Sequence, residues 1–204
     1  MVPGDIFPQL VTNYAASLSE PLETIYGEVF RTYHWPLCWR NEYVTIIPKC
    51  SDPEDLGSCR NISCTNLFSK VLESFMLERS WAQVEPNMRK NQYGGQQGCG
   101  TDHFLAHLWT GILENLEDSR GCNSIISLDF AKAFNRLDHS HIFHSYARLG
   151  ASTEVIRLVV CFLHDRTMRV KVGETLSSPR KVNGGSPGFL RGSADVLCGH
   201  RRRG

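Results

Sequence analysis

Between Thr65 and Leu163 the apolar residues recur at helical spacing in several separate runs, and these are broken by one short run, Ser124 to Asp129, that alternates faces as a strand does. Long amphipathic helices separated by isolated β-type segments do not build a regular βαβ alternation. They point to an α+β arrangement. The first helix is expected to run from a Thr65 cap to about Glu85, with Phe68, Val71, Leu72, Phe75 and Met76 inward and Pro86 as the stop. A second, capped by Thr101, places Leu105, Leu108, Trp109, Ile112, Leu113 and Leu116 on one face, and that stripe is read as core.

Asp138 to Leu149 reads as a helix stopped by Gly150, and Ser152 starts another with Ile156, Val159, Val160 and Leu163 inward. Upstream, Leu10 to Leu18 and Pro21 to Phe30 suggest two short helices with Pro21 in the first turn of the second, ended by Trp35-Pro36. The β-branched run Glu42 to Pro48 suits a strand, Ser51 to Gly57 a polar turn, and Asn91 to Gly100 a glycine-rich loop. Thr167 to Val172 sets Met168, Val170 and Val172 against Arg169 and Lys171, the pattern of a half-exposed strand.

The chain has 204 residues, 41% hydrophobic and 21% charged, enough for one domain with a sizeable core. It contains no run of about 20 apolar residues and no signal-like start, so an intracellular protein without membrane contact is expected. None of the eight cysteines forms a Cys-x-x-Cys pair, which favours reduced, structural thiols over zinc ligands. Without a secretory signal, the sequon at Asn61-Ile62-Ser63 carries no weight. Residues 188–204 hold four arginines against one aspartate, which is +3 of a net +1, so residues 1–187 carry −2. Any contact with nucleic acid therefore has to come from a local basic groove.

The segment Asp129-Phe130-Ala131-Lys132-Ala133-Phe134-Asn135 closes the strand-like run. A carboxylate where a strand opens into a turn is placed to hold Mg²⁺, although such an aspartate most often serves as a turn or helix cap. The histidines 139, 141 and 144 beside Asp138 read as the polar face of a helix.

The stretch from Asp129 to Phe134 resembles motif A of the reverse transcriptases of non-LTR retrotransposons, Asp-aromatic-x-Lys-Ala-Phe-Asp, with Asn135 in place of the last aspartate. Val44 to Lys49 resembles that family's Pro-x-Pro-Lys strand and Arg60 to Ser63 its Arg-Pro-Ile-Ser segment. Asn91 to Gly95 with Thr101, Asp165-Arg166, and Val182 to Pro187, which is similar to the opening of motif B, follow in order. This collinear match runs over about residues 1–187, and it is more specific than any one motif.

The resemblance implies the fingers and part of the palm of a right-hand polymerase, with an incomplete antiparallel palm sheet, in a partial domain of residues 1–187. It implies RNA-directed DNA polymerisation on an RNA template and DNA primer with deoxynucleotides, through two metal ions. Asp129 would be the shared Mg²⁺ ligand, joined by the Phe130 carbonyl. Phe134 would be the gate against a ribose 2′-hydroxyl, Lys49 and Arg60 would neutralise the triphosphate, and Pro187 would border the nucleotide.

Motif B then departs from the family: Gly188-Phe189-Leu190 follows Pro187 where Gln-Gly-Ser is expected, as a frame shift or wrong exon boundary would produce. The 204 residues contain no Ala-Asp-Asp of motif C. The expectation is a chain that is inactive alone and holds Mg²⁺ weakly or not at all, with residues 188–204 as an unrelated, disordered tail. A non-catalytic nucleic-acid-binding remnant, or a gene product without a selected role, is the alternative. Oligomeric state is left open.

Overall fold

The computed structural model describes residues 8–48, 59–94, 96, 98–117, 121–129 and 137–182. Helix α1 (Pro8–Asn13) leads into α2 (Ala15–Thr32), and the boundary falls at Tyr14. Pro21 is therefore inside α2 and not in its first turn, although an interior proline forfeits one backbone bond and crowds the preceding turn at about 3 kcal/mol. Tyr33, at φ 56°, closes α2 in the left-handed region.

Strand β1 (Asn41–Pro48) follows a short 3₁₀ turn, Leu37–Trp39, and pairs antiparallel with β2 (Cys59–Cys64). Helix α3 (Leu67–Val84) starts one residue later than expected, because Asn66 is the cap, its side-chain oxygen accepting from the Phe68 N–H at 3.0 Å. Its inner face is Ser69, Leu72, Glu73, Met76, Ser80 and Val84, while Phe75 is exposed. Helix α4 spans Thr101–Glu117, α5 His139–Arg148 and α6 Thr153–Leu163. Asp138 caps α5 through the Ser140 N–H at 2.8 Å, and Ser152 caps α6 through the Val155 N–H at 3.3 Å. Val155, Leu158, Val159, Phe162 and Leu163 face inward from α6, whereas Val160 is exposed.

Strand β3 (Thr167–Val172) runs parallel to β1, and the short strands β4 (Thr175–Leu176) and β5 (Arg180–Lys181) pair antiparallel with opposite ends of β3. The order is β2-β1-β3-β4, with β5 also on β3. The fold is α+β as expected, but this sheet is mixed. Gly173, at φ 59°, opens the two-residue β3–β4 turn, a position that costs glycine little.

The core lies among α2, α3, α5 and α6. Trp35 meets Phe162 edge to face with ring centroids 5.0 Å apart and donates its indole N–H to Ser69 Oγ at 3.3 Å. Tyr26 packs edge-on against Trp39 and donates to the Phe68 carbonyl at 3.0 Å, and burial pushes its hydroxyl pKa up to about 12.

Two expectations fail here. The α4 stripe is not core: no residue of α4 is buried, and Trp109 is 59% exposed. Ser124 to Asp129 is not a strand; the segment is irregular, with Ile126 82% and Leu128 79% exposed. Both are apolar in pattern and both are left largely exposed among the described residues, so the period is present without the burial that normally accompanies it. The Ser51 to Gly57 turn and the tail 188–204 lie outside the described residues.

Candidate polymerase site

Asp129 is the last described residue of the irregular segment Gly121–Asp129, and it is exposed. The segment is tied to α4 by Asn123, whose side-chain amide donates to the Ile112 carbonyl at 3.2 Å and whose oxygen accepts from Asn115 Nδ2 at 3.1 Å. Downstream, Leu137 packs against the core and Asp138 caps α5. The chain is thus anchored in the packed body from Leu137 onward, while the segment before Asp129 is tied to the unburied α4.

Of the other expected site residues, Lys49, Phe130, Phe134 and Pro187 lie outside the described residues. Arg60 is in β2, its backbone in register with Ile47 of β1, and Pro48 pairs with Cys59. The antiparallel pairing therefore brings the Arg60 strand alongside the strand that leads to Lys49.

Mg²⁺ takes a near-octahedral set of oxygen ligands. Among the described residues no three His, Cys, Asp or Glu side chains converge on one point, so Asp129 alone does not make such a site. His144 is engaged locally, its Nδ1 lying 2.7 Å from the Ser140 carbonyl. The described cysteines carry free thiols; Cys161 is buried, which pushes its pKa up, whereas Cys38 and Cys122 are exposed. No helix among the described residues is long and apolar enough to cross a membrane.

The sequence reading missed a buried charge cluster beneath the sheet. Arg166 donates through Nε to Glu42 Oε1 at 2.5 Å and through Nη1 to the Phe162 carbonyl at 3.3 Å, with its guanidinium 4.4 Å over the Phe162 ring. Ser63 Oγ donates to the other Glu42 oxygen at 2.6 Å. Glu73 approaches the same group from α3, and its Oε1, like Arg166 Nη2, is buried with no hydrogen-bond partner. Burial, and secondarily the Glu42 charge, raise the Glu73 carboxyl to about 7 against the opposing pull of Arg166 and Lys70. The cluster joins β1, β2, α3 and the start of β3, and Asp165, at φ 51°, turns the chain so that Arg166 points inward. One signal for it was present: Glu42 shares the inward parity of Val44 and Ile46.

The family described as "Reverse transcriptase (RNA-dependent DNA polymerase)" matches residues 47–187. The chain belongs to the reverse transcriptase family. It is 27% identical over 149 residues to the "Retrovirus-related Pol polyprotein from type-1 retrotransposable element R2" of Popillia japonica, covering 73% of this chain and 20% of that protein. It is also 27% identical over 172 residues to the "Probable RNA-directed DNA polymerase from transposon BS" of Drosophila melanogaster, covering 81% of this chain and 18% of that protein. This reverse transcriptase segment thus spans about a fifth of the length of the curated relatives it matches. The match runs from Ile47 in β1 through Asp129 to Pro187, so the expected family is met over residues 47–187 of the 1–187 that suggested it.

Proposed function

We propose that the chain is part of the reverse transcriptase domain of a non-LTR retrotransposon, an intracellular RNA-directed DNA polymerase, and that by itself it engages nucleic acid without extending a primer. The observation that carries this reading is the family match over residues 47–187, a range that contains Asp129. Reverse transcriptases bind template, primer and nucleotides and work with divalent metal ions. In this reading β1 and β2 belong to the fingers, with Lys49 and Arg60 neutralising the triphosphate, and Asp129 opens the palm.

Asp129 and the Phe130 carbonyl would contribute to Mg²⁺ binding, Phe134 would exclude a ribose, and Pro187 would border the nucleotide. The 204 residues supply no Ala-Asp-Asp, and Asn135 replaces a further carboxylate, so Mg²⁺ is held weakly and mostly by water. Ultraviolet cross-linking of the full chain to an RNA template annealed to a DNA primer tests the binding half. Cross-linked peptides are expected within residues 47–187, and cross-links confined to residues 188–204 would contradict the reading.

A further inference from the structure

Two of the nine prolines follow a serine, Pro179 and Pro187. Only Ser178-Pro179-Arg180-Lys181 carries a cation three residues after the hydroxyl; Ser186 has Phe189 there. The proline holds Ser178 extended, because its ring crowds the α region of the residue before it, and it presents no N–H to whatever grips the segment.

The sheet register sets this tetrapeptide apart from the rest of the edge. Strand β4 pairs Leu176 with Lys171 and β5 pairs Arg180 with Met168, so residues 177–179 stand opposite only residues 169 and 170. The extra residue makes a β-bulge. Ser177 takes up Val170: its N–H donates to the Val170 carbonyl at 3.0 Å, and its Oγ accepts from the Val170 N–H at 3.0 Å and donates to the Ser178 carbonyl at 3.0 Å. Ser178 and Pro179 are left to share Arg169. The Ser177 hydroxyl is thus committed to the backbone, whereas Ser178 enters this network only through its carbonyl, and residues 178–181 are all exposed.

The segment is held at both ends, by Ser177 and by the Val182 N–H, which donates to the Arg166 carbonyl at 2.9 Å. Between them β5 is two residues long, and the Lys181–Asp165 contact at 3.7 Å is exposed, so both lift away at little cost.

We propose that Ser178 is a phosphorylation site for a proline-directed serine kinase, with Arg169 across the bulge and Arg180 two residues on as the groups that hold the phosphate. An extended Ser-Pro suits a cleft with no acceptor for an N–H after the serine, and Lys181 supplies the cation for a carboxylate further along it. In the transfer, Ser178 Oγ attacks the γ-phosphorus of ATP. The new O–P bond forms as the bond from that phosphorus to the bridging oxygen breaks, the nucleoside diphosphate leaves with the electron pair, and the hydroxyl proton passes to the kinase's catalytic carboxylate. The product carries about −1.5 to −2 charge at neutral pH. Opposed residues of an antiparallel pair have Cα atoms about 5 Å apart, within the reach of an arginine, so the phosphate adds charge-assisted bonds across the bulge and ties the β4–β5 edge to β3. Nothing in this site depends on Asp129 or on polymerase chemistry.

The full chain, incubated with a purified cyclin-dependent kinase, Mg²⁺ and ATP labelled at the γ-phosphate, tests this, with mass spectrometry locating the label. A single phosphate is expected at Ser178, abolished by Ser178→Ala and retained by Ser177→Ala. Pro179→Ala should lower kcat/KM by about 10-fold or more, the cost of an N–H left unpaired in the cleft, and Lys181→Gln should lower it several-fold. Phosphorus NMR of the modified chain should give a phosphate pKa below that of a free phosphoserine peptide, and Arg169→Gln should raise it.

Absence of label on the folded chain, or label confined to other residues such as Ser186, overturns the proposal. Labelling that Pro179→Ala leaves unchanged overturns it too, since Ser178 would then belong to a kinase of another class. A phosphate pKa equal to the peptide's and unmoved by Arg169→Gln overturns the part given to Arg169.

Discussion

Replacing Glu73 by glutamine should stabilise the protein, and by an amount that grows with pH. The carboxyl is buried against a guanidinium that Glu42 already neutralises, and burial raises its pKa from 4.5 to about 7. Between those values the folded state holds a proton that the unfolded state has released. Stability is therefore complete below about pH 4.5, declines as pH rises to about 7, and is flat above. At about 1.4 kcal/mol per pH unit across that interval, the penalty is about 1 kcal/mol at pH 5 and about 3 kcal/mol at pH 8. Glutamine copies the shape of the protonated acid and does not ionise, so the variant escapes the pH-dependent part. Urea unfolding of both proteins at pH 5, 6, 7 and 8, at fixed ionic strength, gives the difference directly. The advantage of Glu73→Gln should widen by about 2–3 kcal/mol from pH 5 to pH 8. A difference that stays flat, or that reverses toward pH 8, would show that Glu73 is held ionised by Arg166 and refute the reasoning.

Arg166→Met should cost about 3–5 kcal/mol, since it leaves the buried Glu42 carboxylate uncompensated, and adding Glu42→Gln should recover much of that; urea midpoints of the single and double variants decide it. Gly150→Ala should cost about 1–2 kcal/mol, because Gly150 sits at φ 82° and a Cβ there would come 3.0 Å from Asn87 Nδ2, the atom that donates to the Leu149 carbonyl. Ile126→Lys/Leu128→Lys should reduce self-association in sedimentation velocity and move the melting midpoint little, as both side chains are exposed; a large loss of stability would mean that they are packed.

Elements whose apolar face is covered were legible from spacing alone. The α5 and α6 helices appear where expected, starting at Asp138 and Ser152, which act as their caps, and with Gly150 as the stop, because capping chemistry and a packed face act together there. The β1 and β3 strands followed from β-branched and alternating runs, but β2 did not, since Arg60-Asn61-Ile62-Ser63 has little strand propensity and is held by its pairing with β1. Spacing overreached at α4 and at Ser124 to Asp129. Period reports which side chains share a face and says nothing of what covers it, and these two faces are open among the described residues. Of the candidate site, Asp129 could be picked out only as the first residue of a motif-like stretch; the structure leaves it exposed at the end of an irregular segment, and the family match covers its position. Of the Glu42–Arg166–Glu73 cluster only the inward parity of Glu42 was legible, because its members are 31 and 93 residues apart along the chain (Glu42 to Glu73, then Glu73 to Arg166) and meet only through the sheet and α3.

Primer extension tests the central claim most directly. The full chain would be given an RNA template, an annealed DNA primer, deoxynucleotides, and Mg²⁺ or Mn²⁺, beside Asp129→Ala as the control. The account predicts a bound template–primer and no product longer than the primer, because these residues supply Asp129 without the carboxylates of an Ala-Asp-Asp motif. Metal-dependent extension by the wild-type chain that disappears in Asp129→Ala would contradict it.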